Sequence, residues 1–171
     1  MVQKYSIIAI LLLLLQNCST DNTPYSKIPA ITLTKVEQMK LGNEDSAVNI
    51  VISYTDGDGD IGLNTDDTLA PYNYGSKYFY NLFVNVYRVD NGIATRIAIP
   101  LTTDSVNFND RITDLTPTGK SKAISGEIRF SLNAKPYPGI FPDSMFYTFQ
   151  IVDRSLNESN VVKTNVMKFD F

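Results

Sequence analysis

Histidine is absent from all 171 residues. Without imidazole there is no Ser-His-Asp or Cys-His catalysis, and none of the usual nitrogen sites for zinc, copper or iron. Cysteine occurs once, at Cys18, so the chain has no partner for an internal disulfide and its stability has to come from packing. There is no long basic run. With 15 Lys and Arg against 18 Asp and Glu, the net charge is −3, which argues against a nucleic-acid partner and against polybasic attachment to anionic lipid. The apolar run from Ile7 to Leu15 rises only about 14 Å as a helix, far short of the roughly 30 Å of a hydrocarbon core, so it is too short to span a membrane. Oxygen chemistry is what remains: carboxylates and carbonyls, which suit calcium or magnesium.

That apolar run follows Lys4 and precedes Cys18, the order of a secretory leader with its h-region. Leu14-Leu15-Gln16-Asn17-Cys18 resembles a bacterial lipoprotein signal, with Asn17 where such sites favour a small residue. The resemblance implies that residues 1–17 are a signal peptide and that Cys18 becomes the first mature residue and carries the lipid. The alternative is an ordinary signal cut nearby, which leaves Cys18 as a free thiol. Residues 18–29 then form the lipidated cysteine and a tether. Ser19 to Pro29 is polar, holds two prolines and shows no apolar period, and it reaches roughly 40 Å if stretched. Loss of the leader removes Lys4 and leaves about 154 residues with a net charge of −4, enough for one domain, 30–171, with a sizeable core.

Beyond the tether the apolar residues recur in period two. Ile124, Gly126, Ile128, Phe130 and Leu132 share one face, as do Val48, Ile50, Ile52 and Tyr54, and Met145, Tyr147, Phe149 and Ile151. The pattern predicts strands over 30–36, 47–55, 79–89, 93–99, 124–132, 144–153 and 161–169, with a weak one within 106–115. Asp90-Asn91-Gly92 supplies a tight hairpin between the third and fourth. Helix is an alternative only at Lys35–Leu41. About seven strands without a convincing helix predict an all-β fold, an immunoglobulin or fibronectin type III-like β-sandwich.

Asp56-Gly57-Asp58-Gly59-Asp60-Ile61-Gly62 is the one segment with recognisable site chemistry. Carboxylates at alternate positions, with glycines between, let several oxygens converge on one hard cation, and calcium takes six to eight of them. Asp67 and Leu63 fall where a calcium loop places its last carboxylate and a packing residue. Ile61 stands where that loop needs glycine, and a strand leads into the turn, so this is not an EF-hand. In a sandwich of this kind the loop over 153–160 lies at the same end. Asp153, Asn157 and Asn160 therefore join Asp56, Asp58 and Asp60 as candidate ligands. The alternative is a plain turn, its charge balanced by Arg154 or Lys120.

Tyr72 and Tyr74 lie in a Tyr-rich stretch with Asn, Gly and Ser, the composition of adaptable binding loops, and sugar rings stack on such faces. The alternative places the rings at 78–80 in the core of the third strand. The leader together with ISYTDGDGDIGL (52–63), RITDLTPTGKSKAISGEI (111–128) and FQIVDRSLNESNVV (149–162) resembles small surface lipoproteins of Bacteroidota with one immunoglobulin-like domain. That resemblance implies an outer-membrane, lipid-anchored location, surface-exposed or facing the periplasm, but no activity. Two functions remain open. One is a non-enzymatic envelope domain, calcium-stabilised, that binds a glycan or another surface protein. The other is a carboxylate-dependent hydrolase of glycans, pairing Asp56 or Asp60 with Asp153.

Overall fold

The computed structural model describes residues 25–171 apart from 117–122, 136 and 138; the leader, Cys18 and Lys120 lie outside the described residues. The alternating segment around Ile50 forms β2 (Glu44–Asp56), and its Val48, Ile50 and Ile52 are closed from solvent. β2 is the middle of a three-stranded antiparallel sheet, between β1 (Ala30–Leu41) and β5 (Ile124–Asn133). The second antiparallel sheet runs in the order β4 (Ile93–Arg96), β3 (Leu82–Asp90), β6 (Ser144–Ile151), with β7 (Val162–Lys163) and β8 (Met167–Lys168) both along the far edge of β6. The inner faces meet in one core, where Val84 and Val86 of β3 and Met145, Tyr147, Phe149 and Ile151 of β6 oppose the β2 row. Each such side chain contributes roughly 1.5–3 kcal/mol on burial. Ile128 and Phe130 share the inward face of β5 at half burial, and Phe130 meets Phe149 edge to face at 5.7 Å between ring centres. The protein is an all-β sandwich, with eight strands among the described residues. Among the described residues no helix is long and apolar enough to cross a membrane.

The departures from the expected strands have local causes. β1 continues to Leu41, through the segment that offered a helix, because shifts of register at Leu33/Lys35 and Met39/Lys40 reset the alternation and hide the period. The third strand starts at Leu82 instead of 79. Residues Lys77–Phe79 form a 3-10 turn, so Tyr78 and Tyr80 are not strand core. Asn81 stops the strand short: its Oδ1 accepts the Ile112 N–H at 2.6 Å and its Nδ2 donates to the Ile112 carbonyl. The strand expected over 93–99 ends at Arg96, where Ile97 turns into the core. Residues 106–115 form no continuous strand and instead bridge β3 at Asn85 and Leu82. The strand expected over 161–169 is broken in two. Thr164 turns inward to accept the Tyr147 N–H on its hydroxyl, and the inward phase passes from Val162 and Thr164 to Met167 and Phe169.

The chain leaves β2 at Asp56, leaves β6 at Ile151 and enters β3 at Leu82. These three points share one end of the sandwich, tied by the Val152 N–H on the Asn81 carbonyl and the Arg154 N–H on the Asp60 carbonyl. Part of the expected tether is docked there as well, since the Gly57 N–H donates to the Ser26 carbonyl at 2.7 Å.

Candidate metal centre

Asp56 is the last residue of β2 and faces inward, which is why it is fully buried. The turn then has to fold back under two other pieces of backbone, and its glycines permit this. A Cβ on Gly57 would lie 2.4 Å from the Tyr25 carbonyl oxygen, and one on Gly62 would lie 2.3 Å from that of Thr113. Ile61 between them is fully buried in the core, which accounts for an apolar residue where a calcium loop carries glycine. The folded-back turn brings Asp58 and Asp60 beside Asp56, and the segment leaving β6 brings up buried Asp153 from the other sheet. One carboxylate oxygen from each of the four lies within 4.8 Å of the others.

Hydrogen bonds hold Asp56 and Asp60 by one oxygen each and Asp153 by both. Asp56 Oδ2 accepts the Asp60 N–H at 2.9 Å, and Asp60 Oδ2 accepts the Ser155 hydroxyl at 2.7 Å. Asp153 accepts from the Asn157 backbone N–H at 2.7 Å and from its side-chain Nδ2 at 2.9 Å. The Oδ1 atoms of Asp56, Asp58 and Asp60 are buried and have no hydrogen-bond partner. None of the four acids forms an ion pair with a basic side chain among the described residues. Arg154, a candidate for balancing the charge, points its guanidinium to Asp67 at 2.8 Å and toward Asp114 at 4.0 Å. Unit charges about 4 Å apart repel by roughly 1 kcal/mol in water and about 4 kcal/mol at the effective dielectric of a protein surface. The Asp56 carboxyl is accordingly pushed up to about 6, chiefly by burial; the Asp60 N–H opposes the rise and the neighbouring Asp58 and Asp60 charges add to it. Burial raises Asp153 as well, against the two Asn157 donors.

Of the six ligands expected from sequence, the fold brings four together. Asn157 sits beside the cluster as a donor that orients Asp153. Asn160 is engaged elsewhere: its Oδ1 accepts the Ile31 N–H and its Nδ2 donates to the Ile31 carbonyl, both at 2.9 Å, so it clamps β1 to the edge of the second sheet. Asp67 accepts the Asn64 N–H and pairs with Arg154, away from the cluster. Tyr72 is half-buried with its hydroxyl donated to the Arg154 carbonyl, whereas Tyr74 is 85% exposed. Cys18 lies outside the described residues. Sequence reasoning missed Ser155, Thr116, whose hydroxyl holds the Gly59 carbonyl, and Arg111, which donates to the carbonyls of Asn64, Asp67, Tyr72 and Phe79. A lone Arg, Ser or Thr carries no pattern that would signal such a role.

The donor set is all oxygen, negatively charged and partly desolvated, which suits a hard divalent cation. The acidic cluster is therefore able to hold a metal ion. Comparison with known protein families, with curated proteins and with solved structures finds no match to this chain.

Proposed function

We propose that the protein is a lipid-anchored, cell-envelope β-sandwich with a non-enzymatic binding or structural role, in which a calcium ion fastens the ends of the two sheets. The four converging carboxylates support this most directly, because they leave three buried oxygens without a donor and no basic side chain paired to them among the described residues. Asp56, Asp58, Asp60 and Asp153 would hold the ion and supply at least four of its six to eight oxygens. Asp56 belongs to the first sheet and Asp153 follows the last residues of β6, so an ion between them is a strut across the sandwich. It binds the folded chain only and stabilises it by mass action.

Hydrolysis by paired carboxylates needs the two groups roughly 5 to 9.5 Å apart with a sugar between them. Here the oxygens lie within 4.8 Å and Asp56 and Asp153 are closed from solvent, which supports a holding role over a catalytic one. The anchor rests on Lys4, the apolar leader and Cys18, with the outer membrane as the location and the domain facing the surface or the periplasm. Because Ser26 is docked on Gly57, the anchor segment joins the domain at the ion-bearing end. The partner would be a glycan or another surface protein.

Two measurements test the proposal. Calcium added after chelator treatment raises the melting temperature of the wild type, and the response weakens in Asp58→Asn; a flat wild-type response removes the ion. Cys18→Ser releases the domain from membranes with its melting temperature unchanged. Retention of that variant through a high-salt wash removes the anchor.

A further inference from the structure

Between the acidic turn and β3 the chain encloses a second concave site, a cavity of about 410 Å³ walled by Tyr72, Tyr74 and Phe79 and rimmed by Thr65, Thr68 and Asp67. That volume lies within the range of small-molecule sites. Tyr74 is 85% exposed, yet its ring is held edge to face on Phe79, with centres 5.2 Å apart at 80°. Exposed aromatic area held in a fixed orientation is suited to binding, since little side-chain entropy remains to be lost.

The charges around the cavity narrow the ligand. The Arg111 guanidinium lies over the Phe79 ring at 5.1 Å and donates to four backbone carbonyls, so it shapes the loop and has little left for an anion. Asp67 is also satisfied, with Arg154 on one oxygen and the Asn64 N–H on the other. Neither of the two charged residues lining the cavity is left free for an ionic ligand. The walls come from a loop and a 3-10 turn, so there is no strand edge for a peptide to pair with. Rings with threonine hydroxyls and carboxylate lone pairs around them match a molecule with an apolar C–H face and a rim of hydroxyls.

We propose that this cavity binds a neutral carbohydrate, one sugar ring lying on the exposed Tyr74 ring beside Phe79, with its hydroxyls at Thr65, Thr68 and Asp67. The proposal rests on the non-enzymatic binding role above and names its ligand class. The loop is rigidly joined to the acidic turn through Arg154, whose carbonyl accepts the Tyr72 hydroxyl, whose guanidinium holds Asp67 and whose N–H is on the Asp60 carbonyl.

The test is titration of the detergent-solubilised full chain, in calcium, with gluco-, manno-, xylo- and galacto-oligosaccharides, followed by saturation-transfer NMR. At least one of these neutral series binds. Tyr74→Ala weakens that binding by about tenfold, the equivalent of one lost ring stack, while Tyr74→Phe retains it. Tyr74→Ala leaves the melting temperature and its calcium response unchanged, because the side chain is exposed. Failure of all four series to bind, or wild-type binding by Tyr74→Ala, overturns the proposal. Shortening of a bound oligosaccharide during the titration would instead overturn the non-enzymatic reading and leave the pocket standing. A flat calcium response with Tyr74-dependent binding would remove the ion alone.

Discussion

Two turns in this protein are built from the same residues and have opposite fates. Asp90-Asn91-Gly92 joins β3 to β4 as a tight hairpin, with Asn91 at φ 50° and Gly92 at φ 81°. Its acid is exposed and pairs with Arg88 of its own strand. A Cβ on Gly92 would meet nothing within 4 Å. Asp56 to Gly62 uses the same acid and glycine chemistry, but Asp56 is buried and Asp58 and Asp60 half-buried, without a basic partner among the described residues, and two of its glycines lie against passing backbone. Turn-forming residues specify that the chain reverses. What the reversal packs against decides whether the carboxylate is a solvated ornament or part of a site.

The largest expected difference between the two turns is steric. Gly62→Ala puts a methyl group into the Thr113–Asp114 backbone at a φ of +112°, and should destabilise by about 3 kcal/mol or more. Gly92→Ala carries only the cost of its positive φ, about 1 kcal/mol. Urea unfolding of the two variants measures both, and equal losses would mean that the acidic turn is as free as the hairpin.

Next in size is the ion. If calcium binds as proposed, the wild type should gain about 2.7 kcal/mol at a hundred times the dissociation constant. In chelator, Asp58→Asn is neutral or mildly stabilising, because it relieves repulsion among like charges. In calcium the same change is destabilising relative to wild type. The mutation therefore reverses sign with calcium, whereas Asp90→Asn keeps one sign throughout.

Acidity separates the turns in the metal-free protein. Asp56 holds its proton up to about 6 when folded, against an ordinary value of 3.8, so between those values the folded chain binds more protons than the unfolded one. Stability in chelator should fall as pH rises from about 4 to about 6 and level off above. Melting temperatures across that window read the descent, and Asp56→Asn should flatten it while Asp90→Asn does not. The calcium response should grow over the same interval, since the ion displaces the proton. The smallest effect belongs to the hairpin. Asp90→Asn breaks an exposed ion pair, worth about 0.2–1 kcal/mol, and high salt should erase the difference.

The alternation that marked β2, β5 and β6 was legible because each of these central or long strands has one face on the core, and burial imposes period two on the sequence. β1 and the final strand were harder to read, since register shifts in one and the inward turn of Thr164 in the other break the period where the sheet does. Within the site, the four aspartates were legible as a cluster, as the turn crowds three acids into five residues and the sandwich brings the loop after β6 to the same end. The asparagines were not. An Asn can accept from a strand, orient a carboxylate or ligate an ion, and only its neighbours in space decide, as Asn160 on Ile31 and Asn157 on Asp153 show.

By itself the sequence determined the fold class and the absence of imidazole chemistry, because period-two burial and residue composition are properties of the chain alone. It also determined where the acid-rich reversal falls. Only the tertiary structure decided that Asp56 and Asp153 are buried face to face, that Arg154 turns to Asp67 and leaves them without its charge, and that Tyr74 stays exposed over a cavity. Each of these depends on which segments, distant in sequence, come to lie against one another. There an unpaired charge or an uncovered ring has consequences that it lacks in an exposed loop.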